Sequence, residues 1–386
     1  MIVKEISFLN FRNLLGEKIT SPGRLTVFEG DNGQGKTNIV EGIYLLTQPR
    51  SFRQSRLLDF VPWAYRNSSA SVLTSVAATV VSGELERSIE LRIEDSRRFL
   101  MVNGNPVSQA GSFLGQLTAV EFTPSSLEIV RGQPLTRRQF IDRIISQVDR
   151  GYFESLVRFH RSLSSANSIF SDVAKRKRVR REAEAELSPW LKIMSAEAVV
   201  LVKKRQEFIA CLQGILSELQ DHFSGDSRRE TATLRYSSDF VKDGATLSVN
   251  EVASVFAVAL EKGFVSGWSH VGIQRDDLEI SLTIEGEVGA HLARLTASQG
   301  QARSIALGLK LAAAEFMKNS SGTSPIILLD DVDSELDYKR RRSLCEYLMG
   351  KDYQVFITTT SGAWVKEHKT DDMKFYRVER GRVFVQ

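Results

Sequence analysis

The sequence predicts an α/β fold, a mixed sheet with helices, that is interrupted by a long helical insertion. A glycine-rich turn, Gly30 to Thr37, lies between a short apolar strand and a helical stretch. A wholly apolar run, Ile326 to Leu329, ends in the two aspartates Asp330 and Asp331. Between these stretches, over roughly residues 125–225, apolar residues recur at helical spacing.

Composition and charge set broad limits. The 386 residues suffice for two or three domains, and the net charge of +4 permits nucleic-acid binding without arguing for it. Cys211 and Cys345 lie far apart in no paired motif, which is typical of a reducing cytosol. Lys4 and Glu5 stand where a signal peptide would be apolar, and no run approaches the roughly 18 apolar residues of a membrane helix. We therefore expect a cytoplasmic protein that does not engage a membrane.

Residues 1–110 are predicted to form a β-rich half-domain around the glycine-rich turn. Residues 2–11 alternate as a half-buried strand does, and Leu25 to Phe28 form a second strand that leads into the turn. Residues 71–102 contain further strand-like segments, followed by a turn at Asn103 to Asn105.

Residues 111–245 are predicted to form a helical arm inserted into this domain. Ser188 and Pro189 are typical of a helix start, because serine caps a helix and proline fits its first turn. Apolar residues recur from there to Gly225, a typical stop, which gives a helix of about 35 residues and about 50 Å. Helices of this length usually pack along a partner as an arm or hairpin. A compact helical subdomain is the alternative.

Residues 246–386 are predicted to complete the β-rich domain. The stretch "DDLEISLTI" alternates, Ile326 to Leu329 is typical of a central parallel strand, and "YQVFITTT" is another strand. The insertion then explains why nearly 300 residues separate Lys36 from Asp330.

The glycine-rich turn carries the strongest chemical signal. Two glycines with four residues between them, followed by Lys36 and Thr37, form the pattern of a loop that binds the phosphates of a nucleoside triphosphate. Its backbone N–H groups and the positive end of the following helix bind phosphate oxygens. Lys36 would contact the β- and γ-phosphates, and Thr37 would place its hydroxyl on Mg²⁺. The predicted ATP-binding residues of this turn are Gly30, Asp31, Asn32, Gly33, Gln34, Gly35, Lys36, Thr37 and Asn38.

The two aspartates after the apolar run are the second signal. A buried strand that ends in an acid delivers a carboxylate to magnesium at its carboxyl end. Asp330 is therefore predicted to hold the ion, and Asp331 to orient or deprotonate the attacking water. Lys36 and Asp331 are the predicted catalytic residues.

A second anion-binding turn is predicted at Ser298, Gln299, Gly300 and Gln301, at the start of another helix. One triphosphate has little need of two such turns, which favours contact with a nucleotide held by another subunit. An ordinary capped amphipathic helix is the alternative.

These motifs together resemble a known family. Ser298 to Gln301 is similar to the signature turn of ATP-binding-cassette (ABC) ATPases, and Asp333 to Asp337 follows the aspartate pair as their dimer-contact loop does. The chain as a whole resembles the RecF family of bacterial recombination-repair ATPases, which are related to the heads of SMC proteins. The resemblance implies an ABC-type P-loop ATPase head with an inserted helical arm. The similar stretches occur in family order over almost the full length: "FLNFRNL", "GDNGQGKTNIVEGIYLL", "RSFR", "FTPSSLEIVRGQPLTRRQFID", "RDDLEI", "SQGQARSIALGLKLA", "LLDDVDSELD" and "QVFITTT".

Two positions depart from the family pattern. Gln299 stands where arginine is common, and Gly272-Ile273-Gln274 stands before Arg275 where the family usually has Gly-Pro-His. These changes remove a charge and a ring near the expected nucleotide, and they leave open a divergent paralogue with altered partners.

The resemblance also implies roles for residues around the nucleotide. Two copies of the chain would dimerise on ATP, with the signature turn of one contacting the ATP of the other and Ser334 and Asp337 at the dimer contact. Thr359 or Thr360 would sense the γ-phosphate where relatives place a histidine. Arg12 and Asn13 would flank the nucleotide, although a simple surface role is equally open. Asp331 stands where many relatives carry glutamate and is one methylene shorter, which predicts slow hydrolysis.

The function implied is an ATP-dependent DNA-binding clamp or switch in recombinational repair and replication-fork maintenance. It would help load the recombinase at gapped DNA through RecO- and RecR-like partners. The helical insertion carries a basic run that could contact DNA phosphates, although a solvated helix face is the usual explanation. The run consists of Lys175, Arg176, Lys177, Arg178, Arg180 and Arg181. The five histidines show no metal-ligand spacing, so magnesium with ATP is the only expected metal.

Two other functions remain as alternatives. One is a divergent RecF-like regulatory or defence ATPase with other partners. The other is a P-loop phosphotransferase, against which the signature and dimer-contact segments weigh because a kinase needs neither.

Overall fold

A computed structural model describes residues 1–49, 51–53, 55–65, 72–95, 97–223, 230–286, 288–368 and 370–386. The chain forms two compact units. The first comprises Met1–Leu127, Ile215–Glu230 and Ser298–Gln386, and the second comprises Glu128–Gly214 and Thr231–Ala297.

The described residues contain seventeen strands: β1 Ile2–Phe11, β2 Leu14–Thr20, β3 Leu25–Glu29, β4 Thr74–Ser82, β5 Leu85–Glu94, β6 Arg97–Val102, β7 Asn105–Pro106, β8 Ala119–Phe122, β9 Glu230–Ser237, β10 Val241–Lys242, β11 Ala245–Thr246, β12 Asp277–Ile284, β13 His291–Leu292, β14 Ile326–Leu329, β15 Val355–Thr359, β16 Met373–Glu379 and β17 Arg382–Val385.

They also contain twelve α-helices: α1 Lys36–Leu45, α2 Ala110–Phe113, α3 Glu128–Arg131, α4 Pro134–Val148, α5 Arg150–Ala174, α6 Arg180–Phe223, α7 Val249–Ser266, α8 Ala293–Thr296, α9 Gln299–Ser321, α10 Val332–Glu335, α11 Tyr338–Met349 and α12 Ala363–Lys366.

The first unit is built on two sheets of six described strands each. One is antiparallel in the order β2-β1-β4-β5-β6-β7, and the other has the order β17-β16-β3-β15-β14-β8. In the second sheet every pairing is parallel except that of β16 with β17. The strands β3, β14 and β15 therefore end at the same edge, which brings together the loops that follow them.

A single hydrophobic cluster joins α1 to both sheets. It includes Phe8 on β1, Ile43 on α1 and Leu328 on β14. Burial of each such side chain contributes about 1.5–3 kcal/mol to the free energy of unfolding. Gly42 allows α1 to approach β1, because a Cβ there would lie 2.5 Å from the ring of Phe8.

The second unit contains an antiparallel helical hairpin formed by α5 and residues 180–214 of α6. Lys204 pairs with Asp149 at 2.9 Å, and Arg158 pairs with Glu197 at 2.5 Å. Helix α6 has 44 residues, about 66 Å at 1.5 Å per residue. The hairpin matches the expectation that so long a helix packs along a partner.

The predicted start of this helix at Ser188 and Pro189 is wrong, because α6 begins at Arg180 and includes Pro189. Residues 180–188 are rich in arginine, glutamate and alanine, which favour helix, and buried Ala183 and Leu187 extend the apolar face upstream. Proline removes one backbone hydrogen bond without ending the helix. The predicted stop at Gly225 lies outside the described residues.

A buried arginine connects the elements of the second unit. Arg205 on α6 is 1% exposed and pairs with Asp142 at 2.8 Å and with Asp276 at 2.7 Å. The hydroxyls of Tyr152 and Tyr236 donate to the same two carboxylates. Each buried charge therefore has partners, as a low-dielectric interior requires.

The two units do not follow the sequence-based boundaries at residues 110 and 245. Residues 111–127 and 215–230, predicted in the arm, belong to the first unit, and residues 246–297 belong to the second. Strand pairing explains the assignment of residues 111–127 and 246–297, because β8 pairs with β14 while β12 lies between β9 and β13. Helical periodicity does not reveal such pairings. The division into an ATPase head and an inserted arm stays a prediction.

Among the helices of the described residues, none combines the length and the hydropathy needed to cross a membrane.

Candidate functional site

The glycine-rich turn connects β3 to α1 at the carboxyl edge of the parallel sheet. Gly33 and Gly35 have φ values of +80° and +113°, a region that side chains disfavour. A Cβ on Gly35 would also lie 2.7 Å from the side-chain amide of Asn13. The turn therefore requires glycine at both positions.

Gln34 attaches the turn to the hairpin of β16 and β17. Its carbonyl oxygen accepts from the backbone N–H of Gly381 at 2.8 Å and from Asn13 Nδ2 at 3.0 Å. Its Oε1 accepts from the backbone N–H of Arg380 at 2.6 Å. Hydrogen bonds to Gln34 thus connect the glycine-rich turn to the hairpin and to Asn13.

Lys36 lies inside the turn with 7% of its surface exposed. Its Nζ donates to the carbonyl oxygens of Gly30 at 2.6 Å and Asp31 at 2.9 Å. Burial lowers the pKa of Lys36, while the charges of Asp331 and Asp330 oppose the shift. Contact of the ammonium with phosphate oxygens stays a prediction.

Asp330 follows β14 and is 3% exposed. Burial raises the pKa of Asp330, and hydrogen bonds from Thr358 and Thr37 oppose the shift. The carboxylate makes no ion pair with a described residue, and hydroxyls surround it. A buried carboxylate beside hydroxyl oxygens fits a hard cation such as Mg²⁺.

Asp331 adopts a left-handed backbone conformation, with φ 55° and ψ 48°. This costs about 1–3 kcal/mol for a residue other than glycine. Its backbone N–H donates to Thr358 Oγ1 at 2.9 Å, and its Oδ2 accepts from Ser334 Oγ at 2.7 Å. Hydrogen bonds therefore restrain both the backbone and the side chain of Asp331.

A cavity of about 290 Å³, the phosphate cavity, lies at the glycine-rich turn and Asp331. Its lining is Asn32, Gly33, Gly35, Lys36, Thr37, Asn38, Arg53, Asp331 and Thr358. The structure thus brings part of the glycine-rich turn and Asp331 to one place. Gly30, Asp31 and Gln34 instead line a neighbouring cavity of about 750 Å³ with Thr360 and residues of β16 and β17.

Sequence reasoning did not assign Arg53 to the site. Arg53 NH1 donates to Asn38 Oδ1 at 3.0 Å, and the guanidinium lies beside the phosphate cavity. The only sequence signal for Arg53 is its place in "RSFR", one of the stretches that resemble the RecF family.

Arg12 contacts the buried Glu41 of α1. Arg12 Nε lies 2.5 Å from Glu41 Oε2, and a second nitrogen donates to Ser55 Oγ at 2.6 Å. Arg12 lines neither cavity within the described part of the chain. Its predicted place beside the nucleotide stays a prediction, and the observed contacts connect α1 with the segment around Ser55.

The predicted signature turn lies at the start of α9. Ser298 caps the helix: its Oγ accepts from the Gln301 N–H at 3.2 Å, and the Ser298 N–H donates to Gln301 Oε1 at 2.6 Å. Gln301 Nε2 also donates to Glu230 at 2.9 Å. Ser298 and Gln299 are exposed, Gly300 is half-buried, and in the described structure none of the four lines either cavity.

The predicted dimer-contact residues lie close to the site. Ser334 contacts Asp331, as described above. Asp337 caps α11 by accepting from the Arg340 N–H at 2.9 Å. Both side chains are exposed.

The predicted sensors Thr359 and Thr360 contact Asp333. Thr359 Oγ1 and the Thr360 N–H donate to the same oxygen of Asp333, the latter at 2.9 Å. Burial favours a higher pKa for Asp333, but hydrogen bonds from Thr359 and Arg341 lower it overall. Of the three consecutive threonines Thr358, Thr359 and Thr360, the one that lines the phosphate cavity is Thr358, which sequence reasoning missed.

The basic run is divided between two elements: Lys175 to Arg178 lie in the connection between α5 and α6, whereas Arg180 and Arg181 begin α6. Arg178 pairs with Glu186, and Arg180 pairs with Glu261 at 2.6 Å. Lys175, Arg176, Lys177 and Arg181 are exposed and make no ion pair with a described residue. Gln274, which lies in a stretch that departs from the family pattern, belongs to another part of the second unit. Its side-chain amide donates to Val271 O at 2.9 Å.

Comparison with known proteins identifies the family. Residues 2–382 match the model of the RecF/RecN/SMC N terminal domain. The chain is 31% identical to the DNA replication and repair protein RecF of Ruminiclostridium cellulolyticum, over 99% of both chains. The chain belongs to the RecF family.

Solved structures agree with the assignment to RecF. A structure of the recombination mediator protein RecF with ATP, in the RecFOR pathway, superposes with a TM-score of 0.85 at 27% identity, covering 100% of this chain and 99% of that one. An Smc head domain from Pyrococcus furiosus has a TM-score of 0.55 at 17% identity, covering 100% and 95%, and is similar in fold alone. The predicted ABC-type ATPase fold and the RecF resemblance are confirmed. The chain is an ATP-binding ATPase of the RecF family, whose members act in DNA replication and repair.

Proposed function

We propose that the chain is an ATP-dependent DNA-binding clamp of recombinational repair and replication-fork maintenance, which dimerises on ATP and acts in the cytoplasm. The observation that carries this proposal is the separation of the two turns that the sequence predicts to bind anions. One lines the phosphate cavity, and the other, at Ser298, is exposed outside it.

The residues of the phosphate cavity have complementary roles in this proposal. The turn and Lys36 bind the triphosphate through backbone N–H groups and one ammonium. Thr37 and Asp330 would hold Mg²⁺, which supplies positive charge to the phosphates. Asp331 orients and accepts a proton from the attacking water. Catalysis is then mainly positioning and charge stabilisation.

The exposed Ser298 turn completes the site of a second copy. A γ-phosphate bound from both sides makes charge-assisted hydrogen bonds that exist only in the dimer. Loss of that phosphate on hydrolysis removes these bonds, so the dimer opens. Ser334 and Asp337 lie near the same contact.

DNA binding is supported by the exposed cations of the basic run in the α5–α6 connection and at the start of α6. Four of the six basic residues of this run make no ion pair with a described residue and are available to phosphates. RecO- and RecR-like proteins are the proposed partners, and loading of the recombinase at gapped DNA is the proposed outcome. The similar solved structure is named as the recombination mediator protein RecF in the RecFOR pathway, which supports a proposed role in recombinational repair.

The alternatives account less well for these features. A phosphotransferase needs neither an exposed signature turn nor a dimer-contact loop. A divergent regulatory or defence ATPase would keep the signature turn and the dimer-contact loop but would bind other partners. Capture of a RecR-like protein by this chain would therefore favour the repair clamp over the divergent ATPase.

DNA binding is tested with gapped DNA by fluorescence anisotropy. We expect tighter binding with ATP than with ADP. Lys175→Gln together with Lys177→Gln should weaken binding and reduce the slope of log affinity against log salt by about 0.9 per lost phosphate contact. The matched control, Lys192→Gln with Lys203→Gln, removes two exposed cations farther along α6 and should bind as wild type does. Equal affinity with ATP and ADP would contradict the clamp.

A further inference from the structure

A hydroxyl at the end of β15 contacts both acidic residues of the ATP site. Thr358 is 1% exposed and lines the phosphate cavity. Its Oγ1 donates to Asp330 Oδ1 at 2.7 Å and accepts from the backbone N–H of Asp331 at 2.9 Å.

The direction of these two hydrogen bonds is fixed by chemistry. A backbone N–H only donates, so the Thr358 oxygen accepts from Asp331 and its own proton is left for Asp330. A hydrogen bond to the ionised carboxylate favours that form and restricts its rotation. The hydroxyl of Thr358, together with that of Thr37, therefore orients the carboxylate proposed to hold Mg²⁺.

The same hydroxyl restrains the neighbouring residue. Asp331 lies in the left-handed region, so its backbone needs contacts that hold it there. Thr358 accepts the N–H of Asp331, and Ser334 donates to its carbonyl oxygen at 3.0 Å. The direction of the Asp331 carboxylate thus depends on Thr358.

We propose that Thr358 is a positioning residue for magnesium binding and ATP hydrolysis, because its hydroxyl sets the geometry of Asp330 and Asp331 together. Thr358 lies outside both the glycine-rich turn and the aspartate motif, and 28 residues separate it from Asp330. This inference rests on the proposed ATP–Mg²⁺ site and adds one residue to it.

The test uses three variants of the full chain. Thr358→Val removes the hydroxyl and keeps the shape, whereas Thr358→Ser keeps the hydroxyl. Thr26→Val is the matched control, because Thr26 is a buried threonine of β3 whose hydroxyl donates to Gly23 O at 3.3 Å.

Mn²⁺ serves as the paramagnetic probe, and its binding in the presence of a non-hydrolysable ATP analogue is measured by electron paramagnetic resonance. Binding of a fluorescent ATP analogue without metal checks that each variant folds.

Thr358→Val should weaken Mn²⁺ binding about 10–100-fold and lower kcat by a similar factor, as loss of a group that orients a metal ligand does. Metal-free nucleotide binding should stay within about threefold. Thr358→Ser and Thr26→Val should resemble wild type. The proposal is overturned if Thr358→Val binds Mn²⁺ within twofold of wild type, or if Thr358→Ser loses as much as Thr358→Val. Failure of the wild type to bind Mn²⁺ with the analogue would instead refute the ATP–Mg²⁺ site itself.

Discussion

At the residue scale, Asp331 combines a strained backbone with an acidic side chain at the phosphate cavity. Its left-handed conformation is held by Thr358 and Ser334. The side chain is one methylene shorter than the glutamate that many relatives carry, so it reaches less far toward an attacking water. Slow hydrolysis agrees with the proposed switch, because the rate of hydrolysis would set how long the ATP-bound dimer lasts.

Asp331→Asn should stop hydrolysis while leaving ATP bound. Loss of a general base lowers kcat by about 10²–10⁴-fold, whereas ATP affinity should change by less than about threefold because Lys36 and the turn remain. Phosphate release and binding of a fluorescent ATP analogue measure the two effects. Asp352→Asn, an exposed surface change, is the control. Wild-type turnover of tens per second, a rapid value for an enzyme, would contradict the slow switch.

The residues predicted from sequence are those whose neighbours in the chain define their role. Lys36, Thr37 and the aspartate pair each belong to a short motif between a strand and a helix. Thr358 and Arg53 reach the cavity from other segments, and no local pattern marks them. Their contribution becomes visible only once β14 and β15 are paired and α1 is packed.

At the element scale, the hairpin of β16 and β17 supports the phosphate-binding turn. Its own turn, Arg380 and Gly381, donates two backbone hydrogen bonds to Gln34. Gly381 has φ +81°, and a Cβ there would lie 2.0 Å from the Asn13 carbonyl oxygen. The β16–β17 hairpin therefore reaches its observed place beside Gln34 and Asn13 only with glycine at position 381.

Gly381→Ala should lower the free energy of unfolding by about 1–3 kcal/mol and weaken ATP binding, because it forces the hairpin away from Gln34. Gly83→Ala is the matched control, since Gly83 also has a positive φ of +61° but has open space around a Cβ. Chemical denaturation and nucleotide titration measure both effects. A loss of stability no larger than that of Gly83→Ala would contradict the steric argument.

Strands with clear alternation were predictable, and pairing between distant strands was not. The segments of β1 and β12 lie where alternation placed them, because one face of each is buried. The four residues of β8 are all buried, so they show no alternation, and their membership of the parallel sheet depends on β14. The boundaries between the two units therefore could not be read from periodicity.

At the scale of the whole molecule, the proposal requires two copies of the chain around each nucleotide. The Ser298 turn is exposed, and among the described residues it lines neither cavity of its own chain. A partner's phosphate is the ligand that would complete it. ATP would thus join the two copies, and hydrolysis would separate them.

Multi-angle light scattering with ATP tests this account most directly. The wild-type mass should double with ATP and return to that of one chain after hydrolysis. Lys36→Ala should stay monomeric because it binds ATP poorly, and Ser298→Arg should stay monomeric although it binds ATP. Ser320→Arg makes the same change at an exposed position in the last turn of α9 and should dimerise as wild type does. A wild-type chain that binds ATP and remains a monomer, or a Ser298→Arg variant that dimerises normally, would contradict the account.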